Sequence, residues 1–497
     1  MSGPDMELDC AQNIALLFYL GRIASNPHKN RVRRQESDAG WTLSLDDERH
    51  LTSMLGLLSC IRDDINNITA VCVQETRPGM AIMVAANAKE ADVSSPYLPS
   101  VKLGLENVFS RLKDAQCSSR EKLESSVFEA IVSMCRWRIL SRIRMIKRAG
   151  KPSMEKLLQE VNVAMYQLPG GIGQTRFLDL SERLVSKLAK YRDTFIPLSS
   201  DDWALTPDND LESIVETCHW VSEIPDIEGI LLNDVGHVKP RVDPSKCEAV
   251  LNTIRKVASY QEAAHTLVKL ARQYEFICQT TTTIATLEPS AFIHDDSAER
   301  PSLRAMLHKL KAHHGTGWHT DQVARRLSNY LGSEYDHHEG HIDQLMDDPK
   351  VHAELQLIWY LDQHQDSTPP PRVIASSKDA CYLCNAFITF HGKYTIPKTH
   401  GRIYPGWRMP SSGLQDVKKG FLLELECLAV ERINSILEEG VKRVDYPFES
   451  SVPSAAASGV SIPTQRVETG AAGRRNYDLV LRGKSTAVPG DRAILPP

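Results

Sequence analysis

The amino-acid sequence predicts an α/β protein in which a large all-helical region separates two β-containing segments. Two short apolar runs flank a Pro-Gly pair within residues 67–87, and this pattern is typical of a β-hairpin. Helical periodicity then dominates from about residue 100 to residue 335. Helix and strand patterns alternate again over residues 346–441, which is typical of a layered α/β structure.

The N-terminal region, residues 1–65, reads as two helical pieces separated by the polar, basic stretch NPHKNRVRRQESDAG. The hairpin follows within residues 66–88. Its strands, NITAVCVQE (67–75) and MAIMVAAN (80–87), are rich in β-branched and small apolar residues. An isolated hairpin is marginally stable in water, so we expect these strands to join a larger sheet.

Residues 89–345 are predicted to form a helical insertion. Within it, Leu123, Val127, Ile131 and Met134 recur at intervals of three or four residues, so they form one apolar helix face. Similar faces are present near residues 175–192, 211–222 and 245–286.

Residues 346–441 contain the second β-containing segment. We expect a helix that begins at Asp348 and Pro349, a strand at Val373–Ser376, a helix that ends at Gly392 and a long helix that ends at Gly440. KYTIP, within residues 393–397, is a weaker strand pattern, and we expect it to be the fourth strand beside the hairpin and Val373–Ser376. Residues 442–497 are rich in Ser, Ala, Pro and Gly, so we expect a disordered tail.

Composition and charge exclude several classes of protein. The net charge of -5 and the isoelectric point near 6.4 give no global signal for a nucleic-acid or membrane partner. The N-terminal stretch is acidic where a signal peptide is basic. Its apolar run, IALLFYL, is far shorter than the roughly 20 residues that span a bilayer. With 11 scattered cysteines, we expect a reduced protein of the cytoplasm, or alternatively the nucleus, that is neither secreted nor in a membrane.

Two short motifs predict a metal site. Cys381 and Cys384 are three residues apart at the start of a predicted helix, where the helix dipole favours thiolates. His352 lies near the start of the preceding helix. One histidine and two cysteines leave the fourth position of a tetrahedral zinc ion open for water, as in catalytic zinc sites. Glu354, two residues after His352, is then placed to move protons as a general acid and base.

Two other arrangements of the same residue types remain open. A structural Cys2His2 site could combine the two cysteines with His391 and His400, although the spacings are unusual for a zinc finger. The two thiols could also be buried without a metal. A second His-x-Glu, at His337 and Glu339, stands in a polar stretch without a helix start, so we treat it as coincidental.

His-x-Glu followed by Cys-x-x-Cys resembles the zinc-binding pattern of the cytidine-deaminase-like superfamily of nucleotide and nucleic-acid deaminases. The stretch ASSKDACYLCNAFITFHGKY, followed by THGRIYPGWRMP, is similar to a toxin-related branch found in fungal proteins with long helical regions. One position departs from the pattern, because Ala380 stands where a proline usually precedes the first cysteine.

The resemblance implies a three-layer α/β/α deaminase-like core with a short mixed sheet, split by the helical insertion. It also implies that Asn87, at the end of the hairpin, contacts the substrate; a turn asparagine without function is the alternative. His400, Arg402, Tyr404 and Trp407 are of the types that stack on a base or bind phosphate, and a solvated loop is the alternative for each.

The sequence therefore predicts a zinc-dependent deaminase of cytosine, or less favourably adenine, in a nucleoside, nucleotide or single-stranded nucleic acid. The main alternative is a non-catalytic helical protein that binds protein partners through its helical region and keeps a zinc-stabilised core. A third hypothesis is a nucleic-acid-binding surface on the basic stretch 136–151.

Overall fold

The computed structural model describes most of the chain up to residue 439. The described residues are 3–21, 24–30, 40–63, 67–88, 95–145, 152–168, 170–194, 208–234, 243–292, 302–331, 349–364 and 368–439. They lie within one unit, Met1–Ala455. The predicted tail at 442–497, Asp348, Gly440, and the second His-x-Glu at His337 and Glu339 lie outside these residues.

The predicted hairpin is confirmed. Strands β2 (Thr69–Glu75) and β3 (Met80–Ala86) pair antiparallel, with Cys72 opposite Met83. The turn packs tightly, because a Cβ atom on Gly79 would lie 2.0 Å from the backbone oxygen of Gln279. Only a glycine therefore fits at this point of the turn.

The hairpin is the centre of a four-stranded sheet, as expected, but one neighbour differs from the prediction. On one side β2 pairs antiparallel with β6 (Ile374–Ser376), which confirms the predicted long-range pairing. On the other side β3 pairs in parallel with β4 (Thr280–Ile284), so β4 and not KYTIP is the fourth strand. Within KYTIP, Thr395 forms an isolated bridge to Val373.

The continuous helical face predicted for residues 245–286 is wrong at its C-terminal end. The helix α8 (Pro244–Gln273) ends at Gln273, a short 3-10 turn follows, and TTTTI forms β4. Threonine and isoleucine lose side-chain freedom in a helix and favour strands. The free edge of β3 gives these residues backbone partners that an exposed helix end would lack.

The two faces of the sheet pack against different helices. One face contributes Ala70, Cys72, Met83, Ala85 and Ile374 to one hydrophobic cluster. The opposite face contributes Val71, Val73, Ile82 and Val84 to another. The alternation along β2 and β3 is the two-residue period of a strand that is buried on both sides. Helices therefore cover both faces.

The second face is covered by α2 (Leu45–Leu58) of the N-terminal region and by helices of the helical region. The helices of the helical region on this face are α3 (Tyr97–Ser110), α4 (Arg120–Arg142), α5 (Met154–Met165), α6 (Ile172–Thr194), α7 (Asn209–Ser222) and α8. The predicted apolar face of α4 is confirmed, because Leu123, Val127, Ile131 and Met134 are all buried. Ser119 caps α4 by accepting the backbone N–H of Lys122.

The first face packs against helices from the N-terminal region, from the last part of the helical region and from the C-terminal segment. These are α1 (Gly3–Leu20), α9 (Leu303–His314), α10 (Thr320–Leu331), α11 (Ala353–Gln363), α12 (Tyr382–His391) and α13 (Gln415–Glu439). Gly392 ends α12 at a φ of 80°, which confirms the predicted helix end. None of the described helices combines the length and apolarity that a bilayer crossing requires.

Short two-residue strands surround the starts of α11 and α12. β1 (His28–Lys29) pairs with β7 (Lys398–Thr399), and β5 (Lys350–Val351) pairs in parallel with β8 (Trp407–Arg408). The predicted helix start at Asp348 and Pro349 is therefore wrong. Pairing of Lys350 and Val351 with β8 keeps the chain extended, and the helix begins at Ala353.

Candidate metal centre

Two helix starts present the predicted metal ligands to each other. His352 is the N-cap residue of α11, with extended φ and ψ values of -70° and 150°. Cys381 is the N-cap residue of α12, and its Sγ accepts the backbone N–H of Cys384 at 3.3 Å. The positive ends of both helix dipoles lie at this space, which favours thiolates.

The three ligand atoms have the spacing of a metal site. His352 Nδ1 lies 3.4 Å from Cys384 Sγ and 3.7 Å from Cys381 Sγ. All three atoms lie within 4.8 Å of one another. Bond lengths of about 2.3 Å for Zn–S and about 2.0 Å for Zn–N in a tetrahedron place N and S ligands about 3.5 Å apart. The donor set and its spacing therefore fit a zinc ion.

The two thiols differ in acidity when no metal is bound. Burial is the largest influence on Cys381 and raises its pKa. The hydrogen bond from the Cys384 thiol and the charge of His352 outweigh burial and hold the pKa of Cys381 well below its usual value. Burial and the neighbouring Cys381 thiolate raise the pKa of Cys384. The two thiols therefore titrate as a coupled pair.

Glu354 lies against the same group of ligands. It is 3% exposed, and one of its carboxylate oxygens accepts from the Cys384 thiol at 3.5 Å. Burial raises the pKa of this carboxyl above its ordinary value. A buried carboxyl with a raised pKa beside three potential ligands is placed to take up and release a proton.

Asn87 fixes the end of the hairpin to the start of α11. Its side-chain oxygen accepts the backbone N–H of Ala353 at 2.9 Å, across 266 residues of sequence. Ala88 and Val351 exchange two backbone hydrogen bonds, and the Gln356 side chain donates to the Ala86 carbonyl at 2.6 Å. Asn87 thus acts as a helix cap from a distant segment, a role that local sequence patterns do not reveal.

The loop with the other predicted rim residues is anchored at both metal helices. The Tyr404 ring lies 5.9 Å from the ring of His352 and 5.8 Å from that of His400, measured between centroids. His400 is buried, and its Nδ1 accepts the backbone N–H of Arg402 at 3.1 Å. The Arg402 carbonyl in turn accepts the N–H of Tyr382, the first residue of α12.

Close packing also fixes the loop backbone. A Cβ atom on Gly401, whose φ is +72°, would lie 1.7 Å from the backbone oxygen of Ser25. No other residue fits there without moving one of the two segments. The structure therefore holds His400, Arg402 and Tyr404 near the ligands, and their contact with a substrate remains a prediction.

Trp407 has a different environment from the other predicted rim residues. Its side chain is fully buried. The indole N–H donates to Cys384 Sγ at 3.3 Å, so the structure shows a contact with a metal ligand rather than an open surface for a substrate base.

The structure does not support a Cys2His2 site that includes His391. His391 lies at the opposite end of α12 from the cysteines, and its Nε2 is 3.0 Å from an Asp362 oxygen.

In the basic stretch 136–151, the cations of the described part already have partners. Arg136 pairs with Asp208, Arg138 with Asp63, and Arg142 donates to the Lys256 carbonyl. Residues 146–151 lie outside the described part.

Comparison with known proteins gives the class of this domain. Residues 351–411 match the model of a family described as "OTT_1508_deam:-like deaminase". The matched segment holds His352, Cys381 and Cys384, the group that could hold a metal ion. This segment is a deaminase-like domain and fits the deaminase-like superfamily. Searches of the curated proteins and of the solved structures gave no match.

Proposed function

We propose that the protein is a zinc-dependent hydrolytic deaminase of a nucleobase, with cytosine favoured over adenine, in a nucleotide or nucleic acid. The observation that carries this proposal is the buried carboxylate of Glu354 beside one histidine and two cysteines. A purely structural zinc site needs no such carboxylate, and usually has a fourth protein ligand.

The sheet with helices on both faces supports a three-layer α/β/α deaminase core. In this interpretation the hairpin, β6, α11 and α12 form one core, and the helical region is inserted between β3 and β5. Loop-closure entropy grows only logarithmically with length, so a long insertion does not prevent the pairing of β2 with β6.

His352, Cys381 and Cys384 would hold the zinc ion. When bound, zinc supplies a Lewis acid that makes water a better nucleophile near neutral pH. The two thiolates balance the charge of the ion. The hydrogen bond from the backbone N–H of Cys384 to Cys381 Sγ fixes the Cys381 thiolate in place. Asn87 and Gln356 hold the start of α11, and so keep His352 in register with the cysteines.

Glu354 moves the protons of the reaction. Hydrolytic deamination of a base breaks the C–N bond to the exocyclic amine, forms a C=O bond with oxygen from water, and releases ammonia. The carboxylate takes up the two protons of water in turn and passes one to a ring nitrogen of the base and the other to the departing amine. Burial raises the pKa of Glu354, which brings the carboxyl closer to the pH at which both steps are efficient.

Tyr404, His400 and Arg402 are proposed to contact the substrate. An aromatic ring can stack on a base, and an arginine can bind a phosphate in a bidentate manner. Asn87 is proposed to contribute its side-chain amide at the same rim, next to its role as a helix cap.

The test is ammonia release from cytosine and adenine compounds, including nucleosides, nucleotides and single-stranded RNA and DNA. Zinc-loaded wild-type protein is compared with zinc-loaded Glu354→Gln. The variant should retain the metal and lose about 10²–10⁴-fold in rate. A wild-type protein that binds zinc but releases no ammonia from any substrate would support the non-catalytic alternative. An unchanged rate in Glu354→Gln would reject Glu354 as the proton carrier.

A further inference from the structure

We propose that Trp407 is a positioning residue of the metal centre. Its indole N–H holds the Cys384 thiolate by a hydrogen bond and limits how much negative charge the sulfur donates to the metal. This inference rests on the zinc site of the proposed function. It gives Trp407 a role behind the ligands in place of a contact with the substrate.

The N–H groups that donate hydrogen bonds to the two sulfur atoms come from different parts of the chain. Cys381 Sγ accepts from the backbone of Cys384, three residues away, so helix geometry fixes this bond. Cys384 Sγ accepts from Trp407 at 3.3 Å, 23 residues further along the chain. The orientation of the second thiolate therefore depends on a tertiary contact.

Packing leaves the indole little freedom to move. Trp407 is fully buried, and its ring centroid lies 5.6 Å from that of Phe421 and 6.3 Å from that of Phe387. Its backbone is part of β8, which pairs with β5 immediately before His352. One segment therefore contacts both the approach to the histidine ligand and the sulfur of a cysteine ligand.

The chemistry of the indole makes this contact specific. An indole N–H only donates, and it stays protonated at any physiological pH. A buried donor without a partner costs free energy, so a sulfur acceptor at this position stabilises the tryptophan as well. Groups that hydrogen-bond to metal ligands fix ligand orientation and tune the metal, and their loss typically costs about 10–100-fold in metal affinity.

The test compares two conservative substitutions of buried tryptophans. Trp407→Phe removes the N–H and keeps an aromatic ring. The control, Trp359→Phe, removes the indole of a side chain that is 1% exposed, contacts the same Phe387 ring, and donates to the Ser412 carbonyl instead of a sulfur. Zinc affinity is measured by competition with a chelator. Cobalt(II) is then substituted for zinc, and its thiolate-to-metal charge-transfer absorption is recorded.

For Trp407→Phe we expect about 10–100-fold weaker zinc binding and a shifted charge-transfer band. We expect Trp359→Phe to leave both close to wild type. Equal effects of the two substitutions would assign the change to packing and overturn the proposal, as would a Trp407→Phe protein with wild-type affinity and spectrum.

A measurement on the wild-type protein keeps the proposal testable if Trp407→Phe does not fold. The protein is labelled with ¹⁵N-tryptophan and loaded with ¹¹³Cd, and scalar coupling between an indole proton and the metal is sought. Coupling through the N–H···S bond is expected, and its absence for every indole proton would overturn the proposal. Failure of wild-type protein to bind metal would instead reject the proposed function.

Discussion

Cys135 in the helical region and Cys381 in the metal centre are both buried, yet their surroundings change the thiol pKa in opposite directions. Burial dominates at Cys135 and raises its pKa, and the thiol donates to the Leu58 carbonyl within the hydrophobic cluster. Burial also raises the pKa of Cys381, but the effects of Cys384 and His352 outweigh burial and lower the pKa. Burial alone makes a thiol inert, and a helix start with a neighbouring imidazole makes it a ligand.

The difference belongs to the immediate neighbours rather than to the side of the sheet. Cys10 lies in the same hydrophobic cluster as Cys381, but burial raises its pKa to about 12. Burial likewise raises the pKa of Cys218, on the other side, to about 12. The neighbouring Cys384 and His352, not membership of a cluster, separate Cys381 from Cys10, Cys135 and Cys218.

Substitution by serine should therefore give different results at Cys381 and at Cys135. Cys381→Ser should abolish stoichiometric zinc binding, because a metal ligand is lost and metal binding is coupled to folding. Cys135→Ser should retain one zinc per chain and lose only roughly 1–3 kcal/mol of unfolding free energy, since it places a hydroxyl among apolar groups. Metal analysis and urea unfolding measure both quantities. Equal zinc content in the two variants would contradict the assigned site.

A buried ion pair joins the N-terminal region to the sheet. Glu48 of α2 accepts from the Arg372 backbone and guanidinium and from the Val373 N–H, just before β6. Glu48→Gln should lower the unfolding free energy by about 3–5 kcal/mol, because it removes the carboxylate charge that faces the buried guanidinium of Arg372.

The matched control is the exposed pair of Arg183 and Asp179 on α6. Asp179→Asn should change the unfolding free energy by less than about 1 kcal/mol. A small effect of Glu48→Gln in urea unfolding would show that the two regions are not joined by this pair.

The caps at Asn87 and Ser119 compare a helix of the metal centre with one of the helical region, with a smaller expected loss of unfolding free energy. Asn87→Ala removes the acceptor for the Ala353 N–H and should cost about 0.5–2 kcal/mol. It should also weaken zinc binding, because α11 carries His352. Asn87→Asp keeps the acceptor and should recover most of the stability.

Ser119→Ala removes the cap of α4 in the helical region. Its cost in unfolding free energy should be similar, but it should leave zinc affinity unchanged. If Asn87→Ala and Ser119→Ala affected zinc affinity equally, the cap at Asn87 would have no special link to the metal centre.

The last comparison concerns pH and a lysine of the helical region. Burial, with the nearby charges of Arg142 and Arg138, lowers the pKa of Lys256 from 10.5 to about 8. Between these values the unfolded chain binds more protons than the folded one, so this group makes the unfolding free energy rise with pH.

Lys256→Met removes that contribution. Relative to the variant, the unfolding free energy of wild-type protein should therefore increase between about pH 8 and pH 10.5. Urea unfolding at pH values below and above this range measures the difference. Parallel curves for the two proteins would mean that the pKa of Lys256 is ordinary in the folded state.

The sequence by itself determined the features that depend on local patterns. The Cys-x-x-Cys spacing and the His-x-Glu motif identified the residues that the structure brings within 4.8 Å of one another. The Pro-Gly turn with its flanking apolar runs identified the hairpin, and the apolar period identified the buried face of α4. Each of these patterns is set by the geometry of a single helix, turn or strand, so it can be read from neighbouring residues.

Only the tertiary structure decided which distant segments meet. TTTTI became a strand because the edge of β3 was available, Lys350 and Val351 stayed extended because β8 pairs with them, and Asn87 became the cap of a helix 266 residues away. Trp407 likewise contacts Cys384 because β8 lies beside β5. Backbone groups and buried donors take whichever partners the packed chain brings near, and residue periodicity carries no record of that choice.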